Sequence, residues 1–313
     1  MIVSIIIPTY QRPTTLTRAI DSVLRQTYSD VEVIVVDDND PESDARRQTE
    51  QVMAAYMQPS SLKGKDSAAT PSLGDREAGR VRYLQHPRNM NGSAARNTGA
   101  SAARGELIGF LDDDDEFMPE KIASQVARMQ ELPADYALCY SHYFVDHYGK
   151  ELYPFDESRE GDLYFEALCR TFHPQPGSNL LIRKTAFEAI GGFDVSFQRS
   201  QDLELLTRLL QRYKIAYCST PGLTVHAHNV TFQKQLEAID YYTKKFQPFV
   251  AALPEDKQRT FRTEIAKQRL HILLRNHDYG KALSVISSRE LSLTAAIRHI
   301  VSVIKIHFTR KRL

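Results

Sequence analysis

The stretch "LIGFLDDDDEFMPEKI", residues 107–122, runs from an apolar segment straight into four consecutive aspartates. Like charges one residue apart repel, so the run makes sense where something positive sits among them. A divalent cation meets that need. Carboxylate oxygens are hard donors suited to Mg²⁺ or Mn²⁺, whose remaining positions are commonly filled by phosphate oxygens and water. The plain alternative is an acidic turn ahead of a helix. Residues 119–131 carry a helical pattern, with Pro119 suited to the first position, Glu120 near the positive dipole end, and Ile122, Val126 and Met129 on one face. On that alternative Asp115 is a helix cap. The run alone leaves both readings open.

Working outward, the first half of the chain alternates strand and helix. "IVSIII" (2–7) and "VEVIVV" (31–36) are apolar at nearly every position and rich in β-branched residues, as strands buried on both faces are. Between them Leu16, Ala19, Ile20, Val23 and Leu24 repeat at helical spacing behind Pro13. "VRYLQH" (81–86) and "ELIGFL" (106–111) read as two more strands, and the small-residue segment between them as a helix closed by Gly105. This alternation predicts an α/β fold, a Rossmann-like, mostly parallel sheet flanked by helices, whose ligands lie beyond the carboxyl ends of the strands. At those ends stand "PTYQR" (8–12), "DDND" (37–40) and "DDDD" (112–115). An acidic turn accounts for one such cluster but gives no reason for three in the same register.

Residues 58–79 are polar and rich in Ser, Gly, Pro and Lys, and read as an excursion from the first domain rather than a domain. The middle region carries strand-like segments at 137–145 and 178–183. The pattern turns helical from 233 onward, so the expected organisation is a domain at 1–232 and a C-terminal helical region at 233–313. Lys+Arg 40 against Asp+Glu 39 leaves a formal charge of +1, which gives no support to nucleic-acid binding. Cys139, Cys169 and Cys218 are odd in number and widely spaced, as free thiols in a reducing compartment are. The start "MIVSIIIPTY" lacks a basic leader region, and no run of 18 apolar residues occurs, so the expected location is the cytoplasm.

The segments "SIIIPTYQRPTTLTRAIDSVLRQTY", "VEVIVVDDND", "GSAARNTGASAARGELIGFLDDDDEFMPEK", "GGFD" and "SQDLELLTRLL", in that order, resemble the family 2 glycosyltransferases, inverting enzymes of the GT-A fold. The resemblance covers roughly residues 1–230. It implies transfer of a sugar from a UDP-sugar to a hydroxyl of a glycan or lipid-linked acceptor, as in bacterial surface polysaccharide synthesis. It implies nucleotide contacts from Pro8, Thr9, Tyr10 and Arg12, with Tyr10 packing on the base, and from Asp38, which accepts from the base N–H. Arg96 would face the diphosphate and Asp113 the ribose. Asp112 and Asp114, with His228 of "TVHAH", would hold Mn²⁺ or Mg²⁺. Asp202 matches the catalytic base, with Gln201 where relatives carry Glu. "GSN" (177–179) and "GGFD" (191–194) would shape the acceptor side. A sugar-nucleotide nucleotidyltransferase is the rival enzyme reading, against which stands the lack of a Gly- and Lys/Arg-rich phosphate loop after the first strand. A non-catalytic nucleotide-sugar binding module is the third.

The C-terminal segment 291–313 has no acidic residue. It spaces Leu293, Ile297, Ile300, Val301, Ile304 and Phe308 as an apolar stripe, with Arg298, Lys305, Arg310, Lys311 and Arg312 elsewhere. Such a stripe can meet the inner face of the cell membrane, making the protein peripheral there, or pack on the chain's own core or on a second subunit of a homodimer.

Overall fold

The computed structural model describes residues 1–57, 80–146, 152–155, 157–226, 232–288, 291–292, 294–298 and 300–301. The excursion at 58–79, His228 and residues 302–313 lie outside these. The first half follows the expected alternation. Strands β1 (Val3–Thr9), β2 (Val31–Asp37), β3 (Val81–Gln85) and β4 (Leu107–Phe110) pair in parallel in the order β3-β2-β1-β4. Helix α1 (Pro13–Leu24) buries Leu16, Ala19, Ile20, Val23 and Leu24, the residues whose spacing announced it. Helix α2 spans Asp44–Met57 and helix α3 spans Gly92–Ala102. Because β1, β2, β3 and β4 are parallel, their carboxyl ends open on one edge, and the polar clusters after β1, β2 and β4 meet there.

Beyond β4 the direction changes. The remaining strands are β5 (Glu116–Phe117), β6 (Tyr136–Asp146), β7 (Leu152–Phe155), β8 (Leu181–Arg183) and β9 (Lys214–His226). The sheet continues β4-β8-β6-β9-β5, with β7 pairing β6. Pairings β4–β8, β8–β6, β5–β9 and β6–β7 are antiparallel, and β6–β9 is parallel. The nine-stranded sheet is therefore mixed, parallel only through its first half. Ser178 and Asn179, expected in a strand, instead end a short helical turn, Pro176–Asn179. The physical reason is Asn179, whose amide turns inward to bond Ser141 N, Ser141 O and Pro174 O.

Helix α4 spans Lys121–Glu131, two residues later than its pattern suggested. Asp115 does not cap this helix, whose N-cap position is Glu120. It lies in a turn closed by its own N–H on the Asp112 carbonyl, and the two-residue strand β5 separates it from the helix.

By contacts the chain forms two units, Met1–Leu163 with His173–Ala227, and Tyr164–Phe172 with His228–Leu313. The short segment Tyr164–Phe172 thus joins the helical unit, where Tyr242 Oη donates to the carbonyl of Ala167. That unit is built on the helices Phe232–Ala251, Glu255–Arg275 and Tyr279–Ser287, and Ala266, Leu270, Leu273, Ala282, Leu291 and Ala296 form a core in it. No helix among the described residues is long and apolar enough to cross a membrane.

Candidate active site

The carboxyl edge of the parallel strands opens on a cavity of about 490 Å³, within the size range of small-molecule sites. Pro8, Thr9, Tyr10, Arg12, Asp38, Arg96, Asp112, Asp113 and Asp202 all line it. The structure thus brings together every described residue expected at the nucleotide or as the base. Asn89, Asn91, Gly92, Ala95, Gly177 and Gln198 to Gln201 complete the wall.

Guanidinium groups sit among the aspartates. Arg12 pairs with Asp113 at 3.4 Å and also with Asp114, and Arg96 pairs with Asp112. Arg18 Nη2 donates to the Asp114 carbonyl at 2.6 Å. Asp113 accepts from Thr9 Oγ1 at 2.8 Å and from the Tyr10 N–H at 3.4 Å. Burial lifts its pKa to about 6, with Thr9 and Arg12 pulling the other way. Arg12 and Arg96 are therefore engaged with the aspartate run, while Tyr10 lines the cavity and is 40% exposed.

Carboxylate oxygens of Asp112, Asp114 and Asp115 lie within 4.8 Å of one another, a hard-donor set that fits a Mg²⁺ or Mn²⁺ ion. Asp115 also accepts from Ser178 Oγ and from the His226 N–H, and its pKa is raised by burial first and by the Asp112 charge second. Of the "TVHAH" pair, His226 faces Asp146 through Nδ1 at 2.9 Å, and His228 lies outside the described residues.

The other wall comes from backbone held in the left-handed region. Asn91, Gln175 and Ser200 have φ of 75°, 56° and 58°, and each precedes a helix that brings a residue into the cavity. Such conformations cost roughly 1–3 kcal/mol each away from glycine and persist where the surroundings hold them. Asn91 caps α3 through bonds from Ser93 N and Ala94 N, which sets Arg96 one turn in. Asn97 exchanges two 2.9 Å bonds with the backbone of Phe193, fastening "GGFD" beside Arg96, whose guanidinium lies 5.6 Å from the Phe193 ring centre. Ser200 precedes the helix Gln201–Leu210 and so places Asp202 in its first turn.

Gly177 sits where two carboxylates converge. A Cβ there would lie 3.3 Å from an Asp112 oxygen and 3.7 Å from an Asp202 oxygen. Burial raises the Asp202 pKa, Asp112 adds to the rise, and Arg96 opposes it. Ser178, next in chain, ties the run together by bonding both Asp112 N and Asp115. Asn179 then anchors the turn to Lys121, whose buried ammonium donates to Asn179 O at 2.9 Å and Asn179 Oδ1 at 2.7 Å. Sequence reasoning missed the roles of Ser178 and Lys121, and it also missed His86, which lies against Asp38.

A mixed sheet of this order, with a cavity and an aspartate run at the carboxyl ends of its parallel strands, is a GT-A glycosyltransferase fold. The chain belongs to glycosyl transferase family 2, whose sequence model matches residues 4–191. It is 26% identical over 293 residues to the putative colanic acid biosynthesis glycosyl transferase WcaA of Escherichia coli (strain K12), spanning 84% of this chain and 91% of that protein. An uncharacterized glycosyltransferase of Haemophilus influenzae is 27% identical over 267 residues, 77% of each chain. Crystal structures of S. aureus TarS 1–349 share the fold at 15% identity and a TM-score of 0.56, across 91% of this chain and 90% of that one. The structure of TarS 1–349 in complex with UDP-GlcNAc aligns with a TM-score of 0.58 at 14% identity.

Proposed function

We propose that this glycosyltransferase moves a sugar from a UDP-sugar to a hydroxyl of a glycan or lipid-linked acceptor, with inversion and with Mn²⁺ or Mg²⁺ bound. One observation carries the reading: a single cavity holds a nucleotide-type end, Tyr10 and Asp38, and a carboxylate of raised pKa, Asp202, beside Asp112. Asp202 takes the acceptor proton as the hydroxyl oxygen attacks the anomeric carbon. The bond from that carbon to the diphosphate oxygen breaks, its electron pair leaves with UDP, and attack from the opposite face inverts the centre. Asp112 and Asp114 would hold the cation, which supplies positive charge beside the leaving diphosphate. Complexes of TarS with UDP and UDP-GlcNAc support a uridine donor, and the colanic acid assignment of WcaA supports a polysaccharide acceptor. Family membership sets aside the nucleotidyltransferase reading. A screen of nucleotide sugars with Mn²⁺ present should give saturable binding of at least one UDP-sugar, competed by UDP. Binding confined to sugars carried on another nucleotide would overturn the donor assignment, and donor binding without hydrolysis or transfer would favour the non-catalytic module.

The helical unit supports a membrane contact. In the last described helix Ala296 is buried and Ile300 packs on the core, while Ile297 and Val301, one turn apart, are 52% and 45% exposed. The stripe read from the sequence is therefore divided between an inward and an outward side. Exposed apolar residues beside a basic, acid-free tail suit an anionic leaflet, where each basic residue contributes on the order of 1 kcal/mol. The full chain should co-sediment with anionic vesicles at low salt, and Ile297→Glu with Val301→Glu should reduce the bound fraction several-fold. Full chain that stays in the supernatant rules the contact out.

A further inference from the structure

Asp38 is only 2% exposed, yet it lines the cavity. Its Oδ1 accepts from the Met90 N–H at 2.8 Å and meets His86 Nδ1 at 2.7 Å. A carboxylate only accepts, so Nδ1 carries the proton and donates. The other ring nitrogen, Nε2, lies 2.9 Å from Thr98 Oγ1 on α3, which fixes the plane of the imidazole. The ring's own backbone is held in turn: the His86 N–H donates to the Asp37 carbonyl at 2.9 Å, and Arg46 Nη2 donates to the His86 carbonyl at 2.8 Å. Arg46 is itself buried against Asp37. The result is a carboxylate with one oxygen fully engaged. No donor among the described residues reaches Oδ2.

We propose that His86 is the positioning residue for base selection: by occupying Oδ1 it holds Asp38 with Oδ2 as an acceptor for a ring N–H of the nucleobase. This rests on the uridine-donor reading above and deepens it. Between the two pyrimidines the chemistry selects uracil. Uracil presents N3–H, a donor, whereas N3 of cytosine is an acceptor that a carboxylate repels. Discrimination of this kind requires the acceptor to be locked. A carboxylate free to turn can swing an oxygen away from the wrong base, and two donors on Oδ1 oppose that turn. Groups built to hydrogen-bond reject analogues lacking the partner far better than apolar pockets reject a misfit.

The test compares UDP with CDP, each with Mn²⁺, by calorimetric titration of wild type, His86→Leu and His86→Asn. Leu removes both ring bonds. Asn loses the Thr98 bond too, but its amide N–H falls near the position of Nδ1 and can still donate to Asp38. Wild type should prefer UDP, His86→Leu should lose about tenfold of that preference, and His86→Asn should keep it to within about threefold. A purely structural role would lower the melting temperature of both variants alike and weaken both nucleotides together, leaving the ratio unchanged. An unchanged UDP:CDP ratio in folded His86→Leu overturns the role of His86 alone. Wild type that binds CDP as tightly as UDP overturns the uridine reading, and this inference with it.

Discussion

Asp202→Asn is expected to lower kcat by about 10²–10⁴-fold, the range spanned by removal of a positioned general base. The donor KM should move by less than about threefold, because the base acts on the acceptor hydroxyl and not on the nucleotide. The pH profile offers a second readout. Burial first, then the charge of Asp112, raises the Asp202 pKa, and Arg96 opposes the rise. A base works only when deprotonated, so wild-type kcat/KM should fall as pH drops through this raised value, above the ordinary carboxylate pKa of about 4. A cation held at Asp112 works against the rise, so the limb should move to lower pH when metal is bound. The residual activity of the Asn variant should lack that limb. A variant that loses donor binding while keeping its kcat at saturation would move Asp202 to the donor side.

The strand ends that line the cavity were legible because local signals suffice for them. β-branched runs mark β1 and β2, and a helix between two such strands makes them parallel, so 8–12, 37–40 and 112–115 must share an edge. The mixed second half of the sheet was not legible in the same way. Strand β8 lies within the strand-like segment 178–183, but a strand pattern carries no direction, and the connection from β4 to β8 runs through α4 and β6 and leaves both orientations open.

The same distinction separates the residues that could be named from the sequence from those that only the packed structure brings to the cavity edge. Asp115 sits in a run that reads as metal ligand or cap, yet its partners Ser178 and the backbone of His226 are brought from 63 and 111 residues away. His86 ends a predicted strand and looks like an ordinary turn residue until Asp38, 48 residues earlier, is placed against it. Lys121 is the clearest case. At the start of an amphipathic helix a lysine reads as a solvated end, but this one is fully buried among oxygens of Gln125, Ser141 and Asn179, and burial lowers its pKa to about 7. Its acceptors are neutral, so no opposite charge in the sequence marks its place.

Asp114→Asn is the sharpest test of the aspartate run. Asp114 is 4% exposed at a strand end, where its carboxylate meets Arg12 and shares a cluster with Asp112 and Asp115. Asn keeps the size of the side chain and a carbonyl oxygen for Arg12, and the backbone bond from Arg18 to residue 114 does not depend on the side chain. The fold should therefore survive, with a melting temperature within a few degrees of wild type. What Asn removes is a negative hard donor, and with it most of the reason for a divalent cation to stay. Transfer should fall by at least about 10²–10³-fold, the cost of losing electrostatic stabilisation of a leaving group. The gain in UDP affinity on adding Mn²⁺ should vanish, since that gain needs the cation bound between carboxylates and diphosphate. The two readouts separate the possibilities. Lost transfer with an intact Mn²⁺ effect on UDP would place the metal on Asp112 and Asp115 and leave Asp114 to organise Arg12. Near wild-type transfer with Mg²⁺ or Mn²⁺ would overturn Asp114 as a metal ligand and leave it the partner of Arg12.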